Sequence, residues 1–290
     1  MPLAPARQPI GVFDSGIGGL SVLAALQARL PHERYVYLAD SAHAPYGERG
    51  DAFVSARTLA IGQWLRRAHG IKALVVACNT ATAAAVDALR RALPDLPVVG
   101  LEPALKPAAA LTRTGRIGVL ATRGTVESAR FARLRDAQGA RVRFSVQACD
   151  GLAQAIEESA AGPAAARAAQ DARVRELCAR YTAALGEFGA GDGQIDTLVL
   201  GCTHYVFAST LLRDLVGPQV RLVDTGDAVA RQTQRLLAAR QALAPSCATC
   251  AAQARAGDLL CTTGDPAALQ AAAERWLGPA SGRAVLTVQV

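Results

Sequence analysis

Short apolar runs alternate with longer amphipathic stretches along most of the chain. Ile10–Phe13 is apolar and leads into a glycine-rich turn, Gly16-Ile17-Gly18-Gly19, followed by helical spacing to about Leu30. Tyr35–Leu38 predicts a second strand. A polar loop from Asp40 to Gly50 follows, then a helix to about His69, a strand at Ala73–Ala77, an alanine-rich helix to about Leu93 and a strand at Val98-Val99. The second half repeats the rhythm. Arg116–Leu120, Val142–Val146, Thr197–Leu200 and Val220–Val223 predict strands. Helices are predicted over 124–137, 151–160 and 163–186, from near Tyr205, and over 226–242. Glu102–Pro107 carries two prolines and reads as the crossover between halves, and Gly189–Gly193 reads as a loop. Strands alternating with helices of this length imply βαβ units and parallel sheets covered on both faces.

Two internal matches recur in the same order. Ile10-Gly11-Val12-Phe13 resembles Ile117-Gly118-Val119-Leu120, and Leu74–Asn79 (LVVACN) resembles Leu198–Thr203 (LVLGCT). The predicted fold is therefore α/β, with two similar doubly wound domains that have mostly parallel sheets and a pseudo-twofold relation. The divisions expected are 1–100 and 101–215, followed by a segment 216–290. Facing halves place both sets of strand C-terminal ends at one cleft, where open α/β sheets carry their sites.

Composition narrows the class. A chain of 290 residues, 51% hydrophobic and 19% charged, can bury a core and is not a disordered polymer. No apolar run is long enough for a transmembrane helix, and the start MPLAPARQPIG shows no apolar signal region, so a cytoplasmic protein is expected. Seven cysteines, an odd number, argue against a complete disulfide framework. The net charge of +7 is almost all arginine, Lys72 and Lys106 being the only lysines. The arginines are scattered and aromatics make up only 4%, so nucleic acid is not expected as the main partner.

Cys78 and Cys202 each follow an apolar strand and precede a predicted helix, whose N-terminal field favours a thiolate. One reading of two facing thiols is a disulfide, which a reducing compartment disfavours. Another is proton removal by a thiolate on one face of a carbon and delivery by a thiol on the other, which inverts a stereocentre without a cofactor. Asp14, at the end of the first strand, is placed to assist Cys78, and His204 to assist Cys202. The glycine-rich turn lacks P-loop and dinucleotide spacing, but its backbone N–H groups can hold a carboxylate. Pro45-Tyr46-Gly47 predicts a tight turn that presents backbone N–H groups and Tyr46 to a ligand. Cys247 and Cys250 form a lone CxxC, Cys149 and Cys178 read as apolar fillers, and the four histidines show no metal spacing, so no metal is expected.

Together these segments resemble the cofactor-independent aspartate/glutamate racemase superfamily, and within it the glutamate racemases. The matching residues are Gly11–Leu20; Asp40 with Pro45-Tyr46-Gly47; Ala77–Ala81; Ile117-Gly118-Val119 with Thr122 and Thr125; and Leu200–Tyr205. Glu102-Pro103 and Thr263-Gly264-Asp265 match more weakly. The resemblance implies interconversion of L- and D-glutamate for peptidoglycan synthesis, with no cofactor. It implies that Cys78 works with Asp14 on D-glutamate and Cys202 with His204 on L-glutamate. It assigns substrate contacts to Asp14, Ser15, Tyr46, Gly47, Asn79, Thr80, Thr122, Thr203 and His204. The acid supporting His204 is expected at Glu157 or Glu158, with Glu157 preferred. The resemblance further implies a C-terminal segment packed back on the first domain, a homodimer and a side interaction with DNA gyrase. Domain closure predicts hinges near 100–115 and 205–225. Two alternatives stand beside this reading. One is a racemase of another acidic amino acid, such as aspartate. The other is a Cys–His thiol hydrolase, which would leave Cys78 and Asp14 without a role.

Overall fold

Every apolar run predicted as a strand forms one in the computed structural model, which describes residues 5–161, 164–246, 254–278 and 284–290. In the first half these are β1 (Ile10–Asp14), β2 (Tyr35–Ala39), β3 (Ala73–Val76) and β4 (Val98–Gly100). In the second half they are β5 (Arg116–Ala121), β6 (Arg143–Ala148), β7 (Thr197–Gly201) and β8 (Arg221–Val223). All pairings are parallel, and β1, β2, β3 and β7 are buried along their whole length. That is why they read as continuous apolar runs rather than alternating ones.

The strand order is β2-β1-β3-β4 in one sheet and β6-β5-β7-β8 in the other. Register makes the repeat concrete. Phe13 pairs with Val76, and Leu120 with Leu200, so the two cysteines, each two residues beyond its paired strand position, occupy equivalent places. Helices cover both faces. On the first sheet, α1 (Leu20–Arg29) packs with α10 (Gly226–Ala239) on one side, and α2 (Asp51–His69) with α3 (Asn79–Ala92) on the other. Around the second sheet lie α4 (Leu105–Leu111), α5 (Arg123–Val126), α6 (Ala129–Asp136), α7 (Leu152–Ala161), α8 (Ala164–Leu185) and α9 (Ser209–Val216).

Local chemistry refines several predicted boundaries. The helix predicted over 124–137 is two helices, because the Ser128 side chain accepts the Phe131 N–H and starts α6 afresh. The prolines near 102–107 do not prevent α4, since Pro107 lies in its first turn, where a missing N–H costs nothing. The stretch from Thr203 to Ala208 is a 3₁₀ turn, and α9 begins only at Ser209.

Residues 216–290 do not pack as one piece. Their first strand, β8, pairs with β7 in the second sheet, and the chain returns to the first half only with α10. Beyond it, β9 (Leu259–Thr262) pairs with β2, and β10 (Ala284–Thr287) pairs with β9, widening the first sheet to six strands. Between them lies α11 (Pro266–Leu277), whose N-cap is Asp265. Sequence periodicity did not single out these last elements. Cys247 and Cys250 lie outside the described residues.

Candidate active site

The C-terminal ends of β1 and β3 face those of β5 and β7 across a cavity of about 200 Å³. Asp14, Ser15, Tyr46, Gly47, Cys78, Asn79, Thr80, Thr122, Glu157, Cys202, Thr203 and His204 all line it, so every site residue predicted from the sequence meets there. Ser41, Ala44, Pro45, Ala153 and Gln154 also line it and were not predicted as contacts, and so does Glu158, the alternative acid. Ser41, Ala44 and Pro45 come from the loop after β2, and Ala153, Gln154 and Glu158 from the exposed start and outer face of α7, segments that carry no repeat and no strand signal.

Each thiol has a different setting. Cys78 caps α3 and accepts the Ala81 N–H at 3.4 Å, with the Ser15 hydroxyl 3.8 Å away. The helix terminus does not win here. Burial pushes the Cys78 thiol up, and the nearby Asp14 carboxylate pushes it further. Cys202 is not capped in this way. Its Sγ lies 3.7 Å from His204 Nδ1, and His204 Nε2 lies 2.6 Å from Glu157 Oε2. Burial alone would lower the imidazole pKa, but Cys202 and Glu157 outweigh it and hold the ring well above the ordinary histidine value. Cys202 is also close enough to bear electrostatically on Cys78.

Asp14 is fully buried, and that burial raises its carboxyl to about 6 despite the opposing pull of His204. It accepts the Ser15 N–H at 2.6 Å and the Thr203 hydroxyl at 3.2 Å, which ties the first half to the second. No direct hydrogen bond joins it to Cys78. Its influence on that thiol is electrostatic.

The glycine-rich turn holds a carboxylate, as its N–H groups permit, but the carboxylate is the protein's own. Ile17 N–H donates to both oxygens of Glu157, at 3.1 and 3.0 Å. A Cβ on Gly16 would stand 2.5 Å from Glu157 Oε2, and one on Gly18 would overlap His204 Nδ1 and Thr203 Oγ1. The glycines therefore let the first half press against the Glu157–His204 pair. Glu158, by contrast, is exposed and accepts from Gln154.

The neutral donors have capacity to spare. Both polar atoms of the Asn79 amide are buried without a protein partner, while Thr80 and Thr122 share a hydrogen bond of 2.9 Å across the cleft. Among the described residues no cluster of His, Cys, Asp and Glu suits a metal ion.

The model of the Asp/Glu/Hydantoin racemase family matches residues 20–233, which is most of the chain. A glutamate racemase from Ectopseudomonas mendocina (strain ymp) is 49% identical over 254 residues, 88% of this chain and 91% of its own length. The chain belongs to the Asp/Glu/Hydantoin racemase family. Among solved structures, glutamate racemase isoform RacE1 from Bacillus anthracis has a TM-score of 0.81 at 30% identity, covering 98% of each chain. The Escherichia coli glutamate racemase, in complex with L-glutamate and the activator UDP-MurNAc-ala, has a TM-score of 0.78 at 30% identity, covering 98% of this chain and 99% of its own.

Membership in the racemase family gives the cavity its chemical meaning. A racemase must reach both faces of one carbon, and the register equivalence of the two cysteines brings one thiol from each half to the cleft.

Proposed function

We propose that this chain interconverts L- and D-glutamate by a two-thiol mechanism and supplies D-glutamate for peptidoglycan synthesis. The observation that carries the reading is the equivalent placement of Cys78 and Cys202, each with its own acidic or basic helper, at a single cavity.

The protonation pattern suits one acid and one base. With L-glutamate bound, Cys202 as thiolate beside protonated His204 removes the α-proton. Cys78, as a thiol kept neutral by burial and by Asp14, gives its proton to the opposite face. The product is D-glutamate, and the charge has moved from Cys202 to Cys78. Conversion of D-glutamate runs the same steps backwards and restores the pair. The α-proton is far less acidic than a thiol with an ordinary pKa of about 8.5, so the carbanion-like state needs fixed donors. Asn79, Thr80, Thr203 and Ser15 are placed to supply them, with Tyr46, Gly47 and Thr122 contacting the remainder of the substrate. Among the described residues the lining holds no Lys or Arg, so the substrate's two carboxylates are met by neutral donors and His204.

Glu157 meets His204 Nε2 and so orients the ring with Nδ1 towards Cys202, with no metal or cofactor step. The chain passes between sheets at 101–115 and again between β8 and α10, and the reading puts the hinges for closure near 100–115 and 205–225. Among the described residues no helix is long and apolar enough to cross a membrane. The reading places the enzyme in the cytoplasm. It also carries a homodimer, tested by sedimentation, and a side interaction with DNA gyrase, tested by a pull-down with both thiols replaced.

The deciding experiment is incubation of each glutamate enantiomer in D₂O without added cofactor, followed by circular dichroism and NMR. Wild type inverts the rotation and washes deuterium into Cα, while Cys78→Ser and Cys202→Ser are each crippled. Glutamate that keeps its α-proton and its rotation rejects the assignment, and aspartate is then the next substrate to assay.

A further inference from the structure

Asp40 bears on the cleft without lining it. It follows β2, is fully buried, and gathers donors from several parts of the chain. Arg57, from α2, forks onto it, with Nε to Oδ2 at 3.0 Å and Nη2 to Oδ1 at 2.7 Å. The Tyr46 hydroxyl donates to Oδ2 at 2.6 Å, the Thr263 hydroxyl to Oδ1 at 2.9 Å, and His43 Nδ1 lies 3.0 Å from Oδ1. The remaining nitrogen of Arg57, Nη1, donates to the Val290 carbonyl at 2.6 Å. Of these partners only Tyr46 reaches the cavity wall.

This arrangement has a direction. Tyr46 is fixed by its ring, which packs 6.2 Å from Phe13 and 6.3 Å from Phe53, and by the hydroxyl on Asp40. A buried carboxylate with only a phenol for company would take up a proton or move towards water. Arg57 supplies the compensating charge, so burial does not prevail and the Asp40 carboxyl stays below its ordinary value. Arg57 in turn is braced by a carbonyl beyond β10, in a segment whose Val288 N–H bonds the Thr262 carbonyl.

We propose that Arg57, forked onto Asp40 and braced by the Val290 carbonyl, is a positioning residue that fixes the Tyr46–Gly47 wall of the cleft, so that residues 284–290 outside the cleft set substrate affinity. The inference rests on the racemase reading, because the readout is turnover of glutamate. A displacement near 1 Å in a positioning group can cost as much as about a hundredfold. The loss expected here is smaller, because the ring packing of Tyr46 remains.

The test compares Arg57→Ala, Arg57→Lys, Tyr46→Phe, the pair Arg57→Ala with Tyr46→Phe, and a chain ending at Thr287. KM for glutamate rises about tenfold in Arg57→Ala, the worth of one charge-assisted hydrogen bond, while kcat changes much less. Arg57→Lys recovers part of the loss, since it keeps the charge but not the fork. Tyr46→Phe and the shortened chain raise KM in the same direction, and the double variant is no worse than its worse parent, because both changes break one linkage. A fall in melting temperature with wild-type KM in all variants overturns the proposal, and so does full additivity in the double variant. If Arg57→Ala does not fold, Tyr46→Phe and the shortened chain decide alone, and an unchanged KM in both overturns it. A wild-type protein that leaves glutamate unconverted refutes the function itself, which is a different result from active variants with unaltered KM.

Discussion

Glu157→Gln changes one atom type and removes one charge, and its effect can be worked out bond by bond. The carboxylate now serves His204 Nε2 at 2.6 Å through Oε2 and the Ile17 N–H through both oxygens, with the Ser41 hydroxyl 3.4 Å from Oε1. An amide has only one oxygen. If that oxygen faces Ile17, the NH₂ faces His204 Nε2, which must then be unprotonated, and the ring proton moves to Nδ1, towards Cys202. If the oxygen faces His204, the NH₂ meets the Ile17 N–H, donor against donor. The first arrangement costs the imidazolium and the second crowds two donors, either at about 1–3 kcal/mol, or roughly ten- to a hundredfold in rate. Enantiomers have equal free energy, so kcat/KM must fall by the same factor in both directions. The pH profile carries a second signature. Glu157 is one of the influences that raise His204. Without it the imidazolium loses its proton at lower pH, and the alkaline limb of kcat/KM moves towards neutrality. Circular dichroism on both enantiomers across the pH range measures both effects. Glu158→Gln is the control, since that exposed side chain should change kcat/KM by less than about twofold. A Glu157→Gln enzyme within about twofold of wild type and with an unmoved alkaline limb would refute the argument.

Gly18→Ala puts a methyl group against His204 and Thr203, so it should lower the melting temperature by the equivalent of about 1–3 kcal/mol and depress kcat disproportionately. A variant with normal kcat would show that the two halves can separate there without penalty. Asp14→Asn tests the cost of a buried charge. Raising the carboxyl from 3.8 to about 6 means that folding favours its protonated form. Its contribution to stability is thus fully present below its unfolded pKa and is lost as pH rises through about 6. The melting temperature of Asp14→Asn relative to wild type should therefore climb between acid and neutral pH, by at most the equivalent of about 3 kcal/mol, while racemisation falls. A pH-independent difference would show that Asp14 is not destabilised by burial in the free enzyme.

The eight strands of the repeated core were legible because parallel strands buried on both faces must be continuously apolar. The thiols were legible because a duplicated strand end marks duplicated geometry. Less was visible in the tail. Leu259–Thr262 is only four residues long and follows a stretch with no strong period, so nothing local announces that it pairs with β2. The glycine-rich turn was legible only in part. A sequence can show that backbone N–H groups are free to bind a carboxylate, but not that one from a helix 140 positions away will occupy them. Likewise, Asp40 looked like a loop residue, because its partners Arg57 and Thr263, and the Val290 carbonyl behind Arg57, come together only in the folded chain.

The repeat is close in backbone and broken in chemistry, and the reaction explains why. By register, Asp14 of the first half corresponds to Ala121 of the second, and His204 of the second to Thr80 of the first. A twofold rotation can place equivalent thiols on opposite faces of one carbon. It cannot do the same for the rest of an amino acid, because a rotation that exchanges the faces of a planar carbanion also exchanges two of its substituents. The ammonium, the carboxylate and the side chain are all different. On the two-thiol reading, duplication supplies two proton carriers in matched positions, whereas the groups that hold the substituents and set each thiol's protonation must differ between halves. Divergence of Asp14 from Ala121, and of His204 from Thr80, is what an internally duplicated racemase requires. The resulting imbalance sets Cys78, whose thiol burial and Asp14 push up, against Cys202 beside an imidazole held well above its ordinary value, where perfect symmetry would give both thiols the same setting.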